Sequence, residues 1–345
     1  MATGEGKTKK TACVTGGNGF VASSLIKLLL ENGYAVHATV RDPEATAKVA
    51  HLKALQSLGD LKLFRADLLA EGSFDEAVAG CDYVFLVASP VDLDAEDPEN
   101  KLIKPAVEGT LNALRSCSKA ATVKRVILTS SGAAVSGNRL EGTGLVMDEK
   151  DWTDVDYLYE EKPPTWGYLF AKTMTEKAAW KYAEEHKLDL VAVNPTLIVG
   201  PSLTPDPPFS VRLALALITG GELEQLGLKI MQKVSGSISF VHIEDVCRAQ
   251  IYLAETESAS GRYILSKINS GLWDLAGFLS KRYPHYKVTA DLGDVPAENK
   301  LSFSSEKLVK EGFQFKHEKL EEMYDEIMEL GKATGLLPSE HGNTK

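Results

Sequence analysis

Val14-Thr15-Gly16-Gly17-Asn18-Gly19-Phe20-Val21-Ala22 is the stretch on which the fold turns. Before it, Thr11-Ala12-Cys13-Val14 is short, apolar and partly β-branched, as a buried strand is. After it, Phe20 to Glu31 carries Leu25, Ile26, Leu28, Leu29 and Leu30 and closes on Asn32-Gly33, as a helix does. Gly16, Gly17 and Gly19 permit a tight bend and a close backbone approach by an anion, with Asn18 between them. The helix N-terminus adds about half a positive charge at the same point. The spacing is G-x-x-G-x-x-A, a weak signal alone, because glycine-rich turns are often only turns. Set between a first strand and a first helix, with a second strand Ala35–Val40 following, it predicts a site for a dinucleotide pyrophosphate.

Strand and helix signals continue to alternate. Strands are expected at Leu61–Arg65, Tyr83–Val87, Lys124–Thr129 and Leu188–Asn194. Helices are expected at Thr46–Leu58, Ser73–Ala79, Lys101–Lys119 and Thr173–His186. This order predicts an α/β chain with a doubly wound parallel sheet, the Rossmann arrangement. The pattern changes at Pro195, and Pro201, Pro205, Pro207 and Pro208 interrupt regular structure in the next segment. A helix near Val211–Thr219, a strand near Ile238–Val241, a helix near Glu244–Glu255 and a charged helix near Lys319–Lys332 come next. The expected division is a nucleotide-binding unit over 8–195, with 236–262 returning to it. Segments 196–235 and 263–340 form a smaller substrate lobe over the carboxyl ends of the strands.

Of the 345 residues, 44% are hydrophobic, enough for a full core, and the net charge of −10 argues against a nucleic-acid partner. The basic run Lys7-Thr8-Lys9-Lys10 reads as a flexible, solvated start, and residues 340–345 as a disordered tail. No apolar run approaches the ~20 residues that span a bilayer, and no signal peptide is visible. Cys13, Cys81, Cys117 and Cys247 lie far apart without metal-ligand spacing, so no metal is expected. Buried thiols in a reducing, cytoplasmic setting, in a monomer, are the default. His242, at a strand-to-helix junction, reads as structural.

Several residues could carry chemistry. Arg41, at the tip of the second strand in Thr39-Val40-Arg41-Asp42, suits the 2′-phosphate of NADP, where an acidic residue would suit NAD. Its bland alternative is a surface arginine. Lys48, a helical turn or more later, could help the same phosphate. Asp67 after the third strand is either an acceptor for the adenine amino group or a turn aspartate. Val87-Ala88-Ser89-Pro90, after the fourth, is small enough to let a cofactor pass, though a plain turn would look the same.

Tyr168 and Lys172 are four residues apart and share a helical face. An ammonium ~4 Å from a phenol, at an effective dielectric of ~20, favours the phenolate by about 4 kcal/mol. That is the size needed to bring a phenol from its usual ~10 to near neutrality for acid–base work. The pair alone is common by chance. Ser131, at the end of Ile127-Leu128-Thr129-Ser130-Ser131-Gly132, could hold a substrate oxygen beside the phenol, with Ser130 competing for the role. Trp166, Phe170 and Phe209 could line an apolar pocket for a flat ring system, or be plain core.

Taken together, these motifs resemble the extended short-chain dehydrogenase/reductases of the plant dihydroflavonol reductase group, from Lys10 to about Leu337. Stretches similar to that group include Thr39-Val40-Arg41-Asp42-Pro43, Phe64-Arg65-Ala66-Asp67-Leu68 and Glu96-Asp97-Pro98-Glu99-Asn100. Pro163-Pro164-Thr165-Trp166-Gly167-Tyr168, Val246-Cys247-Arg248-Ala249 and Glu257-Ser258-Ala259-Ser260-Gly261-Arg262-Tyr263 point to its anthocyanidin-reducing branch. The resemblance implies a catalytic Ser131, Tyr168 and Lys172. It implies NADP(H) contacts from Gly16, Gly17, Asn18, Gly19, Phe20, Val21, Arg41, Lys48, Asp67, Leu68, Val87, Ala88, Ser89 and Pro90. Pro195, Ile198 and Ser210 are added at the nicotinamide and phosphate ends. Ser89, Ser131, Ser136, Trp166 and Phe209 are the residues expected to meet a small flavonoid substrate. In dihydroflavonol reductases an asparagine five residues after the catalytic serine reads the substrate's B ring; here Ser136 stands there and offers no two-pronged amide bonding. Leu86 stands where a histidine is common and Gly132 where an alanine is usual, while Leu169-Phe170-Ala171 lacks the usual small, hydroxylated pattern. The implied activity is NADPH-dependent reduction of an anthocyanidin to a flavan-3-ol by two hydride transfers. The alternatives are a dihydroflavonol-type carbonyl reductase, a sugar-nucleotide epimerase with tightly held NAD, and a non-catalytic NADP-binding protein.

Overall fold

A computed structural model of the chain describes residues 9–90, 97–139 and 141–338. The first eight residues, the tail at 340–345 and Glu96 lie outside the described residues. Of the run expected to be flexible, Lys9 and Lys10 are tied to the fold. Lys10 Nζ meets Glu255 Oε1 at 2.6 Å, Lys9 Nζ lies 3.7 Å from Asp60 Oδ2, and the Lys10 carbonyl accepts from Ala35 N.

Twelve strands lie among the described residues: β1 (Thr11–Val14), β2 (Ala35–Val40), β3 (Leu61–Arg65), β4 (Tyr83–Leu86), β5 (Arg125–Thr129), β6 (Leu145–Met147), β7 (Leu190–Pro195), β8 (Leu197–Val199), β9 (Ile238–His242), β10 (Gly261–Leu265), β11 (Ile268–Ser270) and β12 (Leu301–Phe303). Seven form one parallel sheet in the order β10-β7-β5-β4-β1-β2-β3. Both faces are covered, so the inner strands are mostly apolar; all six residues of β7 are buried. On one face Leu25, Ile26 and Leu29 of helix Phe20–Glu31 pack with Val246 and Ala249 of helix Ile243–Glu255. On the other, Leu114 and Cys117 of helix Lys104–Lys119 pack with Ala179 and Ala183 of helix Trp166–His186. The strand order reverses between β1 and β4, which opens the crevice where such sheets bind ligands.

A second core joins β8 and β9 to helices Phe209–Thr219, Leu272–Arg282 and Leu320–Ala333, with Phe240 and Tyr324 at its centre. Segment 236–262 is divided between the two cores. β9 pairs with β8 and β11 in a three-stranded sheet because Ile238 and Phe240 face the second core, while helix Ile243–Glu255 and β10 rejoin the main sheet. All four cysteines are free and buried, and burial raises the pKa of each thiol.

Several helices differ from expectation, and three of the differences bear on the site. The one expected from Thr173 starts at Trp166, behind Thr165 in a left-handed conformation with φ 64°. Pro163-Pro164 and an uncapped entry hide that start. The one expected from Lys101 begins as a π turn, Glu99–Ile103, running into Lys104–Lys119. Helix Glu222–Ser235 has no counterpart in the expectations, although Leu223, Leu226, Ile230 and Val234 recur at helical spacing; Leu223 and Leu226 are exposed.

Candidate active site

The turn after β1 is held by backbone bonds and by the hydroxyls of Thr15 and Thr39. Gly17 N donates to the Thr39 carbonyl at 2.7 Å, and Thr15 Oγ1 accepts from Val87 N and Ala88 N at 3.0 Å each. The ends of β1, β2 and β4 are thereby fixed to one another. Gly16 has φ 71°, and a Cβ there would lie 3.0 Å from that of Ala88, so no larger residue fits either the conformation or the space. Helix Phe20–Glu31 comes next with Gly19 as an extended N-cap, no side-chain capping bond and no acid in its first turn. Its first N–H groups remain to be met by an anion, and the cradle suits a pyrophosphate.

At the next strand end, Asp42 is held by Arg65 Nη2 at 2.7 Å, whereas Arg41 is exposed and has no ion-pair partner among the described residues. The acid beside Arg41 is thus neutralised by another group, and the arginine faces solvent beside the groove. Lys48 is exposed in the first turn of helix Thr46–Leu55. Asp67 Oδ1 accepts from Leu69 N at 2.9 Å, which is turn chemistry, and Leu68 packs against Gly109. Val87 to Pro90 extend the end of β4 toward the next group of side chains.

There a cavity of about 480 Å³ opens, mostly apolar, and Ser131, Tyr168 and Lys172 all line it. Lys172 Nζ donates to Ser89 Oγ at 3.1 Å and lies 5.9 Å from the centre of the Tyr168 ring. Ser131 Oγ accepts from Ala133 N at 3.2 Å, which leaves its own proton for a ligand. Phe20, Val21, Val87, Pro195, Ile198 and Ser210 share the same walls. Positions expected to touch the nicotinamide end are therefore gathered around the phenol and ammonium. Gly16, Gly17, Asn18, Gly19, Arg41, Lys48, Asp67, Leu68, Ala88 and Pro90 fall outside that cavity, along the strand ends that lead to it.

Beneath these groups is a buried polar network that the sequence reading missed. Glu176 continues the face of Tyr168 and Lys172 by one more helical turn and is 1% exposed. Its carboxylate accepts from Arg262 Nε at 2.6 Å, Ser130 Oγ at 2.6 Å and Asn194 Nδ2 at 2.8 Å. Asn194 Nδ2 also donates to the Ser131 carbonyl at 3.2 Å, and Arg262 stacks 3.7 Å from the Trp152 ring. Ser130, the competitor of Ser131, also lines the cavity, but its hydroxyl proton is taken by Glu176. The only forewarning was the i, i+4, i+8 spacing of Tyr168, Lys172 and Glu176.

At the substrate end, Ser136 and Phe209 line the cavity, with the Ser136 hydroxyl donating to the Gly132 carbonyl at 3.3 Å. Trp166 does not line it. Tyr168 fixes the inward face of the helix, and a residue two positions away lies about 200° around it. Trp166 and Phe170 accordingly turn to Tyr159, with ring centres 6.1–6.4 Å apart. His242 is structural: its ring accepts from Glu244 N, donates to Glu326 and stacks 3.6 Å from His317.

Residues 12–266 match the NAD dependent epimerase/dehydratase family. The chain is 60% identical over 98% of its length to an anthocyanidin reductase ((2S)-flavan-3-ol-forming) of Vitis vinifera, covering 99% of that protein. Among solved structures it is similar to vestitone reductase from alfalfa (Medicago sativa), at 37% identity, TM-score 0.80, and coverage of 95% of this chain and 100% of that one. It is also similar to Gre2 from Candida albicans in complex with NADPH, at 26% identity, TM-score 0.77, and coverage of 93% and 98%.

Proposed function

The chain belongs to the NAD dependent epimerase/dehydratase family, and on that footing we propose that it is an NADPH-dependent oxidoreductase reducing anthocyanidins to flavan-3-ols. One observation carries the reading: Ser131, Tyr168 and Lys172 meet in a single apolar cavity at the switch point of the sheet, beside an uncapped helix N-terminus.

NADPH, when bound, supplies hydride, and net reduction of an anthocyanidin takes two in succession with a tautomerisation between. The uncapped N–H groups after Gly19 hold the pyrophosphate, and Arg41 and Lys48 hold the 2′-phosphate. Lys172, steadied by Ser89, holds a ribose hydroxyl and keeps positive charge near the phenol of Tyr168. Tyr168 gives or takes the proton at the substrate oxygen. Ser131 offers its free proton to the same oxygen and fixes the ring in place. Phe20, Phe209 and Phe303 give the cavity apolar walls against which a flat ring can pack.

Each turnover converts a flat, hydroxylated cation into a neutral, saturated heterocycle. Supplying cyanidin and dihydroquercetin separately with NADPH, and identifying the products, tests the reading. Flavan-3-ol from cyanidin is expected; cofactor oxidation with dihydroquercetin alone would replace the assignment with a carbonyl reductase. The finer reading is a cytoplasmic monomer with a nucleotide-binding unit over 8–195 and a substrate lobe over 196–235 and 263–340. Four buried, unpaired cysteines fit a reducing compartment. Light scattering in solution checks the mass.

A further inference from the structure

The wall of the cavity away from the sheet ends carries two serines with a fixed polarity. Ser237 and Ser239 sit at alternate positions, so their side chains share one face of the strand, and both line the cavity while being only 2% exposed. Ser239 lies opposite Asn269 in the β9–β11 pair. The Asn269 amide is clamped by one residue's backbone: its Nδ2 donates to the Phe303 carbonyl at 3.1 Å and its Oδ1 accepts from Phe303 N at 2.9 Å. That clamp fixes which atom of the amide is oxygen. Ser239 Oγ, 2.9 Å from Oδ1, can therefore only donate to it. Having spent its one proton there, Ser239 can only accept from Ser237, 3.1 Å away. Ser237 is left with lone pairs and no proton to offer a ligand.

We propose that Ser237 is a specificity-determining residue, an acceptor-only hydroxyl that receives a hydrogen bond from a phenolic hydroxyl of the substrate and discriminates against the corresponding methyl ether. Ser239 and Asn269 act through it as positioning residues. The inference deepens the reading of the substrate as a polyhydroxylated flavonoid. A methyl ether has no proton to give, so its oxygen would face a second acceptor at a hydroxyl that is only 2% exposed. Sites built to bond a hydroxyl reject analogues lacking it far more strongly than apolar pockets reject a methylene.

The test uses the full chain with NADPH, cyanidin and each of its mono-O-methyl ethers. Flavonoid binding by fluorescence quenching is measured alongside kcat/KM. In the wild type, one ether position is expected to weaken binding and raise KM by about tenfold or more relative to cyanidin. Ser237→Ala is expected to remove most of that ratio by weakening cyanidin. Ser239→Ala leaves the Asn269 clamp intact but frees the Ser237 proton to turn toward an ether oxygen, so it is expected to relax the same ratio by strengthening the ether. A purely structural role would move cyanidin and all ethers together. An unchanged ratio in Ser237→Ala, or equal binding of all ligands by the wild type, overturns the proposal. Binding selectivity without turnover of cyanidin would instead overturn the assigned reaction and leave the role of Ser237 standing.

Discussion

At one end of the cleft, Thr15 to Val21 act through backbone N–H groups, a left-handed glycine and a helix terminus, all within seven consecutive residues. At the other end, Ser131, Ser136, Phe209, Ser237 and Phe303 converge from widely separated parts of the chain. The cofactor end is specified by local geometry, and almost any replacement at Gly16 would meet Ala88. The substrate end is specified by packing between two cores, so its residues can change without disturbing the sheet. On the proposed assignment, recognition of a common cofactor and choice of a particular substrate are thereby separated within one fold.

Tyr168 stands where the two ends meet, and its loss should be the largest catalytic effect. Tyr168→Phe is expected to lower kcat by about 10²–10⁴-fold while NADPH binding, followed by fluorescence titration, stays close to wild type. Turnover near wild type would mean that another group supplies the proton, and the division into two ends would lose its shared centre.

Next comes the support beneath both ends. Arg262→Ala strands the carboxylate of Glu176, 1% exposed, with hydroxyl, amide and indole donors but no cation. Removing one partner of a buried pair costs about 3–5 kcal/mol. The urea midpoint should fall with the slope unchanged. A stable Arg262→Ala protein would show that the strand ends carrying Ser131 and Asn194 hold their positions by packing alone.

The same contrast governs how much was legible in the sequence. The parallel sheet, the glycine turn and the order of strand-end residues could be read because each depends on neighbours in sequence. The residues alone left Ser130 competing with Ser131, and the contact that occupies Ser130, with Glu176, spans 46 positions of chain. Pocket wall and plain core were both open for Trp166, because the start of its helix lies behind two prolines and a left-handed Thr165. A Cβ at Gly167 would lie 2.6 Å from that of Pro98, so this glycine lets two stretches far apart in the sequence come together. Ser237 and Ser239 gave no motif at all; their meaning lies in an amide on another strand.

A cut at the cofactor end alone should be felt there alone. Arg41→Ala is expected to raise the NADPH KM by about tenfold or more, the loss of a charge-assisted hydrogen bond worth about 1.5–3 kcal/mol. The KM for NADH and for the flavonoid should stay where they were. A parallel rise with NADH would place Arg41 on some other part of the cofactor and remove the argument for the 2′-phosphate.

The smallest effect belongs to Gly132, which borders the substrate end. Its backbone is right-handed helical, φ −54° and ψ −23°, so an alanine can adopt it without strain. The added Cβ would meet Phe303 at 3.4 Å and the Pro195 carbonyl at 3.5 Å, ordinary contact distances. Gly132→Ala should therefore stabilise the chain by about 0.4–1 kcal/mol, chiefly by restricting the unfolded state, with a matching rise in melting temperature. KM for NADPH should not move, because the residue faces Phe303 and not the glycine turn. If the flavonoid KM rose sharply instead, the ring would have to lie against the Gly132 Cα, and this glycine would belong among the residues that choose the substrate.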